Sequence, residues 1–267
     1  VKRALFSVWQ EYQSFGLVTG MAHAADIIRA IFLFLISFVL KENLVRYFFH
    51  HLMLLIGGIG AFKLFSFLGF KSKHSFLAYI GAVFYILNLG TVQIFALPFE
   101  PFSVFFAFLP FLIITFLTYI QSTEHSRKRI LGFLIINILA TPAFYQQTMF
   151  IVYLIVISLL SFGLMLRDFF ERKYKEIYRI LKNSIFAIFF IVLINTFWIL
   201  PQFYSIRSSA SVTRQSKINQ LATETVVNKN IEKGKLRYLA RLENFYYDLK
   251  DINQNYLFSS WRGHFDN

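Results

Sequence analysis

His23, Asp26 and Arg29 recur at intervals of three, which places an imidazole, a carboxylate and a guanidinium on one helix face. In an otherwise apolar stretch such groups are costly to bury, and they point to a site facing protein or water. Asp26 and Arg29 equally suit an ion pair that pins an interfacial helix at headgroup level. Glu100 is the only acid between Glu42 and Glu124 and stands in the turn LPFEP, between Pro98 and Pro101. Its carboxylate could take a substrate hydroxyl or a metal, or simply complement the dipole of a helix start. Trp9 and Glu11 pair an aromatic ring with an acid, which suits a sugar: the ring stacks on the C–H face while the acid takes hydroxyls. A tryptophan there equally fits the aromatic belt of a membrane. Gln146 and Gln147, with Asn195, Trp198 and Gln202, could line a polar cavity or bond one helix to another. His50 and His51 are adjacent and therefore diverge on a helix, a poor metal pair. Cysteine is absent, and so are His-x-x-x-His and Gly-rich phosphate loops, so no metal site is assigned.

The elements that must position these residues are membrane helices. The chain is 57% hydrophobic and only 15% charged, and its apolar residues come in long blocks rather than stripes. A net charge of +13 would suggest nucleic acid in a soluble protein, but here the cations lie between apolar blocks and in the tail. Topology and anionic lipid headgroups account for them, and no nucleic-acid partner is expected. Apolar segments suited to spanning run over 46–70, 75–97, 102–121, 130–140, 144–166 and 184–200. The fold class is therefore all-α, a polytopic transmembrane bundle of about six spans. Residues 1–45 form an external loop and interfacial helix, 46–201 the bundle, and 202–267 the start of an extracytoplasmic domain. Within 24–40 there are only 17 residues, two of them Asp26 and Arg29, so a span and a surface helix are both open against the ~20 residues a crossing needs.

Orientation follows from RDFFERKYKEIYRILK, residues 167–182, which holds six Lys or Arg against three acids. Such a loop stays cytoplasmic. Alternation then puts 71–74 and 122–129 inside as well, giving eleven basic residues on three inside loops and none on the turns 97–101 and 141–148. The start of 46–70 and the tail after Pro201 then fall outside; residues 1–23 are cytoplasmic if 24–40 crosses, and the whole segment before Arg46 is external if it does not. Beginning at Val1 and stopping in a polar run, the sequence reads as an internal piece of a longer protein.

The order of parts resembles the GT-C superfamily of membrane glycosyltransferases, close to its arabinofuranosyltransferase-like and lipoteichoic-acid-glycosylation-like members. The likeness rests on the loop from Trp9 to Gly16 (W-x-x-x-x-x-x-G), LLIGGIGAFKLFSFLGFKSK, the Y-x-L-N helix end from Tyr85 to Asn88, the outer proline turn and NTFWILPQF. It covers most of residues 1–206. The resemblance implies that 24–40 is an external helix. It implies transfer of a sugar from a polyprenyl-phosphate donor to a cell-envelope glycan or lipid acceptor, on the outer side of a bacterial or archaeal plasma membrane. A carboxylate would act as general base while the phosphate leaves, with a divalent cation or arginines such as Arg29 and Arg46 neutralising it. The family's main carboxylate would fall upstream of Val1, leaving Asp26 and Glu11 as the catalytic candidates here. Trp9, His23, Arg29, Glu100 and Gln146 are then the substrate-binding candidates. The competing classes are a membrane transporter or lipid flippase, and a non-catalytic envelope-assembly scaffold; buried mid-depth charges and broken helices would favour the transporter.

Overall fold

A computed structural model describes residues 9–10, 17–18, 24–69, 75–96, 99–123, 127–215, 228, 231, 234–240, 250–257 and 259. The protein is an all-α membrane helix bundle. The helices among the described residues are α1 (Ile27–Ser37), α2 (Glu42–Phe67), α3 (Ser75–Leu87), α4 (Leu89–Ala96), α5 (Glu100–Ile120), α6 (Arg127–Leu139), α7 (Gln147–Phe170), α8 (Tyr174–Gln215) and α9 (Leu236–Ala240). A 3-10 turn, Thr141–Tyr145, joins α6 to α7. The only strands among the described residues are β1 (Trp9–Gln10) and β2 (Leu17–Val18), an antiparallel pair two residues long. Two compact units divide at Arg207 and Ser208.

Among the described residues four helices are long and apolar enough to cross a membrane: α2, α5, α7 and the Tyr174–Tyr204 part of α8. Their outer faces carry side chains such as Leu159, Phe162 and Phe189, each more than half exposed. In water this would drive aggregation, whereas in lipid it costs nothing.

Contacts fix the direction of every crossing. On α2, Arg46, His50, Gly57 and Gly60 meet Glu100, Ser103, Phe106 and Phe111 of α5 in the same order, so the two helices run parallel. A chain that leaves α2 at one face and starts α5 at the other must cross back in between, and α3 with α4 does so. Tyr79 and Gly81 of α3 lie beside Phe62 and Phe65 near the end of α2, while Phe95 of α4 packs on His50 near its start. This crossing is broken at Asn88. One side chain satisfies both broken ends: its Nδ2 donates to the Phe84 and Tyr85 carbonyls at 3.1 and 2.8 Å, and its Oδ1 accepts from the Thr91 N–H at 3.0 Å. The second half is the N-cap arrangement, with Thr91 as the third helical residue.

α6 has only 13 residues, about 20 Å of helix, and the 3-10 turn completes its passage. Phe133 stacks on Tyr119 at 5.2 Å, and Leu139 and Pro142 reach the level of Val104 and Phe108. α7 and α8 then run antiparallel, joined at one level by Ser161 and Ser184 (2.9 Å) and at the other by Phe150 and Trp198 (5.3 Å between rings). α8 continues through Pro201, where a helix end is expected from sequence. The six crossings leave two poles. One holds the starts of α2, α5 and α7; the other holds the end of α2, the end of α5 and the α7–α8 junction. α1, at about 16 Å, is too short to cross the ~30 Å core.

In lipid every backbone group needs a partner, and Pro110 inside α5 deprives the Phe106 carbonyl of its helical donor. The Tyr85 hydroxyl supplies one across the interface at 2.8 Å, and its ring stacks on Phe106 at 4.4 Å. Tyr85 thus clamps α3 to α5 where the proline leaves an opening. In the second unit, described by itself, α9 is followed by a bridge between Lys250 and Tyr256, with the Lys250 ammonium 4.9 Å from the Tyr256 ring centre.

Tyr85→Phe should destabilise the bundle by about 1–3 kcal/mol, the cost of an unsatisfied buried carbonyl. Pro110→Ala, which restores a backbone N–H four residues on, should recover part of that loss. Thermal unfolding of the four members of this cycle in detergent checks it; strictly additive effects would contradict the clamp.

Candidate functional site

The residues capable of chemistry collect at the pole where α2 and α5 begin. Asp26 precedes α1 and does not cap it. Instead, both its carboxylate oxygens accept from Arg29, Nε at 2.6 Å and a terminal nitrogen at 2.5 Å. This is the planar two-pronged match that makes guanidinium the preferred partner of a carboxylate. The other terminal nitrogen of Arg29 stands 3.7 Å from Glu100, whose same oxygen accepts from Arg46 Nε. The result is an alternating chain, Asp26, Arg29, Glu100, Arg46, with no net charge. It joins α1, α2 and α5, with Arg46 and Glu100 lying 54 residues apart in sequence. Glu100 is its inner member, with a side chain 12% exposed against 64% for Arg46.

One turn deeper the polar contact continues. His50 Nε2 lies 3.3 Å from the Phe95 carbonyl, an acceptor only, so Nε2 carries the proton and Nδ1 accepts from the Ser103 hydroxyl at 2.7 Å. Both residues are buried. His51 turns the other way and donates to its own helix, to the Tyr47 carbonyl at 2.8 Å, as adjacent helical positions require.

Beneath α1 lies an apolar cavity of about 170 Å³. Ile28 and Phe32 of α1, Met53 and Ile56 of α2, Phe108 of α5 and Pro142 line it, and Arg29 provides the one charged side chain. A cavity of ~150 Å³ with such walls stays dry and holds a benzene ring, so this one takes about one or two isoprene units of a longer chain. On the opposite face of α1 a shallower groove runs past Asp26, Arg29, Ser37 and Glu42.

Comparison with family models, curated proteins and solved structures finds no match.

Of the site residues expected from sequence, the structure brings together Asp26, Arg29 and Glu100, and adds Arg46. Gln146 stands at the start of α7, where its carbonyl accepts from the Met149 N–H at 2.8 Å. For Trp9 only the backbone is described, paired with Val18 in β1–β2; Glu11 and His23 lie outside the described residues. Asn195 and Trp198 are buried and bonded to each other at 2.7 Å, which spends them on packing inside α8 and not on a cavity. Ser103 was not singled out by sequence; the signal available was its place one turn beyond Glu100, on a helix starting at the same face as α2. Among the described residues no three His, Asp or Glu side chains converge. A divalent cation does not fit the cluster either, because the nearest carboxylates, Asp26 and Glu100, are each held by guanidinium groups that would repel it.

Glu100→Gln should lower stability by about 1–3 kcal/mol, since it strips two guanidinium groups of a partly buried counter-charge. Arg46→Gln should cost under ~1 kcal/mol, its side chain being mostly in solvent. Thermal midpoints in nanodiscs check the order; the reverse ranking would contradict a chain anchored on Glu100.

Proposed function

We propose that the protein is a membrane glycosyltransferase of GT-C type that uses a polyprenyl-phosphate sugar at the outer face of a bacterial or archaeal plasma membrane, with the tail after α8 on that side. The observation that supports this is the apolar cavity under α1 with Arg29 at its edge and Arg46 beside it. An isoprenoid phosphate needs that pairing of a dry slot for its first isoprene units with fixed cations for its phosphate. The remainder of so long a chain would lie in the surrounding lipid. The orientation rests on the basic residues of the opposite pole, which belong on the cytoplasmic side.

In the reaction an acceptor hydroxyl forms a bond to the anomeric carbon, the bond from that carbon to the phosphate oxygen breaks, and the hydroxyl proton passes to a base. Arg29 and Arg46 would stabilise the charge that gathers on the departing phosphate. Both oxygens of Asp26 accept from Arg29, and Glu100 Oε1 accepts from Arg46 with Arg29 3.7 Å away, so in this reading the two carboxylates serve to aim the arginines. General-base work falls to a carboxylate outside the cluster, Glu11 among them. Trp9, two residues before Glu11 in the sequence, would stack on the sugar of donor or acceptor.

The broken crossing at Asn88 favours a second possibility, a lipid flippase, because discontinuous helices accompany substrate passage in transporters. One experiment separates the two. The chain is reconstituted in vesicles with a polyprenyl-phosphate sugar radiolabelled in the sugar, and with cell-envelope glycan as acceptor. A transferase moves label out of the lipid fraction, and Arg29→Ala lowers that rate about tenfold or more, charge-assisted hydrogen bonds being worth ~1.5–3 kcal/mol each. Label that crosses the bilayer still attached to lipid would identify a flippase and overturn the proposal.

A further inference from the structure

The pole opposite the cluster carries a second arrangement with a ligand chemistry of its own. At the start of α8 the buried face reads Ile180, Asn183, Ser184, Ala187 and Ile191, so the face directly away from the bundle holds Lys175, Tyr178, Lys182 and, further along, Ile185 and Phe189. Lys175 and Lys182 are seven residues apart, nearly two whole turns, and stand about 10 Å apart on one line with Tyr178 between them. Tyr178 is 70% exposed, and Ile185 and Phe189 are more than half exposed. The lysines therefore sit where an outward surface changes from apolar to polar, at headgroup depth. Asn183 fixes that depth by donating to the Ile120 carbonyl at the end of α5, at 3.1 Å.

Charges nearby are sorted into those already neutralised and those that are not. Arg167 is bonded to Asp168, Lys173 to Glu171 and Arg179 to Glu176, which uses all three acids of the segment. Among the described residues Arg172, Lys175 and Lys182 have no acidic partner. Phe169, Phe170 and Tyr174 expose their rings around the turn that carries Arg172, with Phe169 in edge contact with both of the others. Aromatic rings at this depth lie among glycerol and carbonyl groups, and basic clusters beside them attract anionic headgroups.

We propose that Lys175, Lys182 and Arg172, with Tyr178 between the lysines, bind the phosphodiester of an anionic phospholipid in the adjoining leaflet, whose acyl chains lie along Ile185 and Phe189. The site is built from the α7–α8 turn and the start of α8 and does not depend on any activity at the other pole. The full chain in detergent, offered equal amounts of phosphatidylglycerol and phosphatidylcholine with the same acyl chains, should retain phosphatidylglycerol preferentially in native mass spectrometry. Lys175→Gln and Lys182→Gln should each reduce that preference about five-fold, the effect of one cation near a charged headgroup. Lys175→Arg with Lys182→Arg should restore it, and Arg127→Gln with Lys128→Gln, on α6, should leave it unchanged. Equal retention of the two lipids by the unaltered chain would overturn the proposal, and so would a preference that survives either single Gln variant.

Discussion

Everything in the bundle depends on how closely α2 packs along α5. Gly57 and Gly60 have no side chains because the rings of Phe106 and Phe111 occupy the space; a Cβ on Gly60 would stand 2.6 Å from the Phe111 ring. Small residues let backbones approach where no hydrophobic effect drives helices together, and large rings opposite them recover the dispersion energy. Because these contacts run in the same order on both helices, α2 and α5 are parallel, and the segment between them has to cross once more. α3 and α4 achieve that crossing in two pieces, with Asn88 as the shared cap and Tyr85 as the clamp on the proline-opened carbonyl of α5.

Parallel packing also explains where the charges meet. The starts of α2 and α5 lie at one face, so Arg46 comes to Glu100, and α1 lays Asp26 and Arg29 beside them. The cluster costs little because its four charges cancel pairwise and its outermost member remains in solvent. Its part in the proposed function lies in what it holds open. A short helix fastened by ion pairs over an apolar cavity places a cation at the edge of a dry slot, which is the combination an isoprenoid phosphate would require.

Much of this was legible in the sequence. Apolar block lengths place the six crossings, and the spacing of Asp26 and Arg29 identifies their pair. The charge-based topology puts Arg46 and Glu100 at the same face of the membrane, and packing alone decides that they touch. Other features depend on partners distant in sequence. The break at Asn88 leaves 75–97 looking like one apolar run, because a single asparagine satisfies both helix ends. Pro201 resembles a terminator, yet α8 passes through it, since a proline removes one hydrogen bond without preventing the helix from resuming. His50 is weak as half of a histidine pair and becomes distinctive only when Ser103 arrives from α5.

In the proposed orientation the charged cluster and the basic α7–α8 turn occupy opposite faces of the membrane, with the cluster outside. The absence of cysteine from the chain allows a direct measurement: single cysteines at Ser37 on α1 and Glu171 in the turn, both exposed, labelled in intact cells with a membrane-impermeant maleimide. Ser37→Cys should label from outside and Glu171→Cys only after permeabilisation. Labelling of both from the same side, or of Glu171→Cys alone in intact cells, would contradict the account.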